Sequence, residues 1–271
     1  MKTVEQVEAE NRRKYSGEAY DARTICRPAS GDGDDYASRM LRLKLEMVAR
    51  ECPGDVLVDL CCGAGEHLES TSRGRALAVG VDFSVPFLRH AEERRRSREE
   101  EEQEGGTIAF VCGNARSIPL ADDSADALYS LSSLYYMPKL DEIIGEIARV
   151  LRPGGRCVLD LGGKPSLNSI VCAAYPELAV SCHVPVGEML DACRSHGLEV
   201  IEHRRFQLLP MWGDRPWWLK PVLQPSWTRL LAIRVAGRMI DEWVSSLPIV
   251  RRFVFRHVLL CEKAGVQRQQ S

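Results

Sequence analysis

The chain has 271 residues, long enough to bury one sizeable core and to carry an addition beside it. Its 36 basic and 38 acidic side chains leave a formal net charge of −2, so no global basic field points to nucleic acid, and none is expected as a partner. The opening MKTVEQVEAENRRK is too charged for a secretory signal, and no apolar run reaches the roughly 18 residues of a spanning helix. A cytoplasmic protein, at most peripheral to a membrane, is the expectation.

In chain order, residues 1–38 read as polar, helix-compatible sequence followed by the surface link ASGDGDD. A helix follows from Tyr36 to about Arg50, where Met40, Leu41, Leu43, Leu45, Met47 and Val48 form a broad apolar face suited to a sheet. Next, VLVDL runs straight into CCGAGEHL, a strand entering a tight turn that opens a helix. Gly63 and Gly65 lack Cβ atoms, so the backbone there can take positive φ and approach a ligand, with N–H groups of the helix start facing it. Asp59 lies at the end of this first strand. A second apolar strand, Ala76 to Val81, ends in Asp82, 23 residues after Asp59, about the spacing at which an acid reaches ribose hydroxyls in a βαβ unit.

The helix after Asp82 carries EERRRSREEEEQE, Glu92 to Glu104, whose charges pair four apart on a solvated face until Gly105 and Gly106 end it. A third strand spans Ala109–Ala115 and a fourth Ser124–Ser130. The helix Leu140–Leu151 sets Leu140, Ile143, Ile144, Ile147 and Leu151 on one stripe. Pro153, Gly154 and Gly155 break it before a fifth strand, CVLDL. Gly162 to Pro185 is a long connection holding Asn168, Tyr175 and His183; a helix to about His196 and a strand Leu198–Phe206 follow, and the last strand is Phe253–Lys263.

All five tryptophans, Trp212, Trp217, Trp218, Trp227 and Trp243, fall between those last two strands. Tryptophan favours places that are part dry and part wet. Three readings stand open for this segment. One is a small helical cap with its own core, since Leu230, Ile233, Ile240 and Val244 recur at helical spacing. Another is an acceptor pocket walled by the indoles with Tyr135 or Tyr136. The third is a membrane-surface patch in which Arg215, Lys220, Arg229, Arg234 and Arg238 meet anionic head groups. The ten cysteines show no regular spacing, and Cys62, Cys112, Cys157 and Cys261 sit in apolar runs as small core residues, so reduced thiols and no metal are expected.

The order of these motifs resembles the class I S-adenosylmethionine-dependent methyltransferases, in their small-molecule, type 11-like branch, over Leu57 to about Leu161. The resemblance implies a Rossmann-like α/β fold: a seven-stranded, mostly parallel sheet with helices on both faces and a terminal antiparallel hairpin strand. It implies a lid at residues 1–38, with Lys14, Tyr15 and Tyr20 as candidates to cover the cofactor, a methyltransferase domain at 39–264 interrupted by the Trp-rich insertion at 207–249, and a tail at 265–271. Asp59, Gly63 and Gly65 then hold the methionine end of S-adenosylmethionine, Asp82 takes the ribose, Phe83 lies against adenine, and Asn114 with Ala115 meets its edge. Cys61 and Ser130 complete the expected cofactor set. Two positions depart from the family: Cys61 stands where glycine is usual, and Asn114 where aspartate is usual. Asparagine still accepts from the exocyclic amine and can donate as well.

Plain structural roles also remain open, for Asp59 as a helix cap and for Asp82 and Asn114 as turn residues. What favours the ligand reading is that all three fall at the carboxyl ends of consecutive strands, where an open parallel sheet has its crevice. The expected activity is methyl transfer by in-line displacement to a small, apolar or lipid-linked acceptor, which needs positioning, exclusion of water and, for some acceptors, proton removal. Tyr135 and Tyr136 are the leading acceptor-facing candidates, with His183 next. The alternatives are a non-catalytic subunit of the same fold and, less well matched because the turn lacks a third spaced glycine, an NAD-dependent oxidoreductase. No residue pattern speaks to oligomeric state.

Overall fold

A computed structural model describes residues 3–16, 36–99, 106–174, 182–209 and 225–265. Five parallel strands form its centre: β1 (Val56–Leu60), β2 (Leu77–Asp82), β3 (Thr107–Cys112), β4 (Ala125–Ser130) and β5 (Leu151–Lys164). They are followed by the two-residue β6 (Val184–Pro185), β7 (Leu198–Phe206), a short hairpin of β8 (Arg234–Val235) and β9 (Arg238–Met239), and finally β10 (Arg256–Lys263). The main sheet runs β3-β2-β1-β4-β5-β10-β7, with β6 paired to β5; β10 is antiparallel to both its neighbours. Strand order reverses between β1 and β4. In an open α/β sheet that switch point is where a crevice opens outside the carboxyl ends of the strands.

The strands read as continuous apolar runs because both faces are covered. On one face Val58, Leu60, Val79, Val81 and Leu128 pack under α5 (Leu140–Val150) and α7 (Val186–Ser195). Ile143, Ile144 and Ile147 of α5 are fully buried, the stripe read from sequence, each worth about 1.5–3 kcal/mol of apolar burial. On the other face Leu57, Ala127, Tyr129 and Val258 meet α2 (Tyr36–Glu51) through Met40, Leu43, Met47 and Val48. The alternation of Leu57 and Val58, or Ala127 and Leu128, between the two layers is the period-two consequence of the pleat. The remaining helices are α1 (Val4–Ser16), α3 (Glu66–Thr71), α4 (Val85–Glu99), α6 (Leu167–Ala174), α8 (Pro225–Leu231) and α9 (Ile240–Ser245).

Two sequence expectations need correcting. The fifth strand begins at Leu151 rather than Cys157: Ala125 pairs with Leu151 and Ala127 with Arg156, so Arg152–Gly155 bulge out of one strand, with Gly154 at φ 77°. In the described part of the insertion, the helical spacing of Leu230, Ile233, Ile240 and Val244 does not fall on one helix. Ala236 and Gly237 take φ 51° and 78°, closing a two-residue hairpin that cuts the helical period; Leu230 and Ile233 are exposed instead of buried. The segment docks through Ala232 and Met239 onto the α2 layer. Buried polar ties reinforce it: Arg204 donates to both carboxylate oxygens of Glu242 at 2.7 and 2.6 Å, and Tyr36 donates to Asp241 at 2.6 Å. Trp212, Trp217 and Trp218, with Arg215 and Lys220, lie outside the described residues, as do the side chain of Trp227, the tail after Gly265 and the expected helix end at Glu104. Among the described residues no helix is long and apolar enough to cross a membrane.

Candidate functional site

The turn after β1 is held open by its own backbone. Cys61 and Cys62 donate their N–H groups to Val81 O at 2.7 and 3.2 Å, and Cys61 sits at φ 65°, a left-handed conformation that glycine takes more easily. Gly63, at φ 56°, has nothing within 4 Å of where a Cβ would stand, so its backbone faces open space. Gly65 serves packing instead: at φ 72°, a Cβ there would lie 2.7 Å from the Phe110 ring.

Asp82, at the end of β2, receives the Gly63 N–H on Oδ2 at 2.9 Å and the Ser84 N–H on Oδ1 at 2.8 Å. These bonds orient both oxygens, while burial pushes the carboxyl above its ordinary value. Asn114 accepts the Arg116 N–H on Oδ1 at 2.9 Å, an Asx turn that leaves a lone pair and the amide N–H groups free for other partners.

Two cavities open along these strand ends and share Asn11, Cys61, Asp82, Phe83 and Met137. The first, about 420 Å³, extends over β3 to Asn114, Ala115 and Arg116. The second, about 340 Å³, extends the other way to Gly63, His67, Ser132, Ser133 and Tyr136. At their junction Cys61 Sγ stands 3.9 Å from Met137 Sδ. Helix α1 crosses both: Asn11 donates to Tyr136 O at 2.8 Å, Glu8 pairs with Arg116, and Ser84 donates to Tyr15 O at 2.6 Å. Tyr15 borders the second cavity and packs edge-on to Phe83 at 6.4 Å. The expected lid residues Tyr20 and the side chain of Lys14 lie outside the described residues.

The structure brings Cys61, Gly63, Asp82, Phe83, Asn114, Ala115 and Tyr136 together on the cavity walls. Asp59, Gly65, Ser130, Tyr135 and His183 stand behind them. Asp59 pairs with Tyr129 across β1 and β4, so both side chains point to the α2 side; Tyr129 donates to Asp59 at 2.9 Å, and burial pushes the carboxyl up to about 7. Ser130 is fully buried beneath the Cys61 thiol. Residues 134–136 form a 3₁₀ turn, where neighbours point about 120° apart, so Tyr136 faces the cavity while Tyr135 turns inward to receive Arg256 Nη2 at 2.9 Å. His183 is sequestered between Phe255, 4.7 Å between centroids, and Ser169, 3.2 Å from Nδ1; burial lowers it to about 4.

Sequence reasoning missed a buried charged cluster behind Ser132, which lines the second cavity. Lys44 donates to Ser132 Oγ at 3.2 Å and to Asp160 Oδ2 at 2.7 Å, and Arg256 joins the same carboxylate oxygen at 2.5 Å. Burial alone would raise Asp160, but Arg256 and Lys44 outweigh it and hold the carboxyl low; burial lowers Lys44 to about 8. The available signal was a lysine inside an apolar stripe, between Met40 and Val48. His67 was also passed over. It lines the second cavity and is lowered to about 4, first by burial and then by Lys44 and Arg94, which leaves a neutral imidazole.

A family model described as a methyltransferase domain matches residues 58–159. The chain is 27% identical over 213 residues to 24-methylenesterol C-methyltransferase 2 of Oryza sativa subsp. japonica, covering 73% of this chain and 56% of that one. It is 30% identical over 181 residues to the O-methyltransferase rstn1 of Aspergillus nomiae, covering 65% of this chain and 78% of that one. Apart from such a case, the chain spans about half the length, or less, of the first curated relatives it matches. Among solved structures, geranyl diphosphate C-methyltransferase from Streptomyces coelicolor A3(2) superposes with a TM-score of 0.58 at 19% identity, over 84% of this chain and 80% of that one. That likeness is one of fold.

Proposed function

Since the chain belongs to the class I S-adenosylmethionine-dependent methyltransferases, we propose that it moves a methyl group onto a small acceptor that is apolar or lipid-linked. The observation that carries this reading is the pair of cavities meeting at Cys61 and Met137, with Asp82 common to both. The residues fit the cofactor. A polar-edged cavity at Asn114 and Ala115 suits adenine, the oriented Asp82 carboxylate suits ribose hydroxyls, and the open space over Gly63 accepts the amino-acid end without displacing a side chain. When bound, S-adenosylmethionine supplies a sulfonium methyl that needs no further activation.

The acceptor then shares the second cavity with the cofactor's amino-acid end, lying against Ser132, Tyr136 and His67. Phe87, Leu131 and Met137 make much of that wall apolar, which supports an apolar acceptor. Lining this cavity, the His67 imidazole would be placed to take the proton of an acceptor hydroxyl, as a weak base, because the burial, Lys44 and Arg94 that keep it neutral also disfavour its charged form. The net positive cluster of Lys44, Arg256 and Asp160 behind Ser132 favours negative charge developing on that oxygen. The curated relative from Oryza sativa acts, by name, on 24-methylenesterol, in keeping with an apolar acceptor. A lipid-linked acceptor would bring the insertion to a membrane surface.

Calorimetric titration with S-adenosylmethionine tests the cofactor half of this reading, and a labelled-methyl screen of cell extracts tests the acceptor half. Cofactor binding with label entering an organic-soluble product is the expected outcome. Absence of cofactor binding would instead favour a non-catalytic subunit of the same fold, for which the thiol of Cys61 standing in the usual glycine position is the motive. With an acceptor in hand, His67→Gln should lower kcat by about 10–10²-fold near neutral pH while leaving cofactor affinity unchanged, the low end for a lost general base because His67 is a weak one.

A further inference from the structure

Seven of the ten exposed large apolar side chains among the described residues fall in one stretch, Leu230 to Phe253. Ile249 is 77% exposed, Leu247 52% and Val235 51%. Such crowding on a soluble surface marks a contact face rather than chance exposure. The stretch is knitted together: Trp243 Nε1 donates to Val235 O at 3.3 Å, the Arg238 guanidinium lies 5.4 Å over the Trp243 ring, and Arg251 N donates to Leu247 O at 2.9 Å.

Charge on the same stretch has one sign. Its only carboxylates, Asp241 and Glu242, are turned inward onto Tyr36, Gln207 and Arg204 and are essentially fully buried. The charges left outside are Arg229, Arg234, Arg238, Arg251 and Arg252, in a chain whose formal net charge is −2. Arg234 reaches back to Glu46 at 2.8 Å and Arg238 to Glu242 at 3.7 Å; Arg251 and Arg252 sit beside exposed Ile249 and Phe253. Apolar side chains that enter an acyl boundary, ringed by cations that meet phosphates, are the composition of an interfacial membrane contact.

We propose that the face formed by α8, the β8–β9 hairpin, α9 and the 3₁₀ turn Val250–Arg252 docks on an anionic lipid surface. It rests on the lipid-linked acceptor reading for its purpose, though binding to lipid is independent of methyl transfer. The inner side of the same stretch leads to the second cavity: Asp241 accepts the Gln207 N–H, Gln207 accepts from Arg256, and Arg256 holds Asp160 behind Ser132.

Co-sedimentation tests the face, using vesicles of phosphatidylcholine alone and of phosphatidylcholine with about a third phosphatidylglycerol, at low and physiological salt. The full chain should sediment with the anionic vesicles, less so in salt, and stay in solution with the neutral ones. Arg251→Glu with Arg252→Glu should weaken the partition by about tenfold or more, since each basic residue near such a surface contributes about 1 kcal/mol. Leu247→Asp with Ile249→Asp should weaken it on the same vesicles. Unchanged thermal melting and unchanged S-adenosylmethionine binding in both variants confirm that each is folded; loss of cofactor binding in the parent chain would count against the methyltransferase reading and not against this face. The proposal is overturned if the parent chain ignores anionic vesicles, if both double variants bind them as the parent does, or if the parent self-associates without lipid and the variants do not, which would make the face a protein interface.

Discussion

Replacing Asp160 by asparagine is the sharpest perturbation this fold offers. Its carboxylate is fully buried and carries Lys44 at 2.7 Å and Arg256 at 2.5 Å, with Lys44 itself 2% exposed. Asparagine keeps the shape and still accepts the Ser132 N–H, but it strands two cations in a low-dielectric site. Removing one partner of a buried ion pair costs about 3–5 kcal/mol, and a loss of about 4 kcal/mol is expected here. Lys44→Met should cost less, because Asp160 keeps Arg256. Combining the two changes removes one stranded cation, so the double variant should be about 2 kcal/mol more stable than the sum of the singles implies, a coupling within the range for contacting groups. Urea denaturation followed by far-ultraviolet circular dichroism at pH 7.5 measures all three. Asp160 is held low in the folded state, so its stabilisation is complete above the unfolded carboxylate value of about 3.9 and is lost as pH falls through the folded one. The gap between parent and Asp160→Asn should therefore close in acid. A cost below about 1 kcal/mol, or strict additivity in the double variant, would refute a charge cluster of this strength.

Asp59 predicts the opposite pH behaviour. Burial raises it to about 7, so its neutral form suits the fold and stability declines as pH rises from about 4 through 7. Asp59→Asn should be about 1–3 kcal/mol more stable than the parent at pH 8 and near parity at pH 4, read from urea midpoints. For Asp82→Asn, which loses one of the two oriented oxygens, S-adenosylmethionine affinity should fall about 10–100-fold by calorimetry, the worth of one charge-assisted hydrogen bond. Cys61→Gly relieves a left-handed non-glycine residue worth about 1–2 kcal/mol, offset by the chain entropy of glycine, about 0.5–1 kcal/mol. Its melting point should hardly move while cofactor binds a few-fold more tightly; weaker binding would mean that the thiol contributes a contact.

The parallel sheet, the glycine turn and the acids at the strand ends were legible before any coordinates, because each depends on residues close in sequence. Apolar runs four to six residues long, a Cβ-free turn and an acid at a βαβ spacing are local signals, and Gly63, Asp82, Phe83, Asn114 and Ala115 all reach the cavities they suggested. The Leu140–Val150 stripe was readable for the same reason. Where a side chain's destination hangs on partners far along the chain, the reading failed. Tyr135 and Tyr136 are neighbours, yet a 3₁₀ turn sends one to Arg256, 121 positions away, and the other to the cavity. Leu230, Ile233, Ile240 and Val244 keep a helical spacing that a hairpin at Ala236 and Gly237 cancels.

Local chemistry thus sufficed to identify the family and several residues of the cavity walls, since the glycine turn, the strand-end acids and the order of motifs are each set by residues close in sequence. The charged cluster behind Ser132 was decided by tertiary structure alone. Lys44, Ser132, Asp160 and Arg256 come from α2, the loop after β4, β5 and β10, and only folding makes them one charged cluster. The cationic face of the insertion was settled in the same way: its arginines stand out as a group because Asp241 and Glu242, adjacent to them in sequence, are drawn inside by Tyr36 and Arg204. A carboxylate's burial follows from the partner that meets it, and that partner is set by the fold.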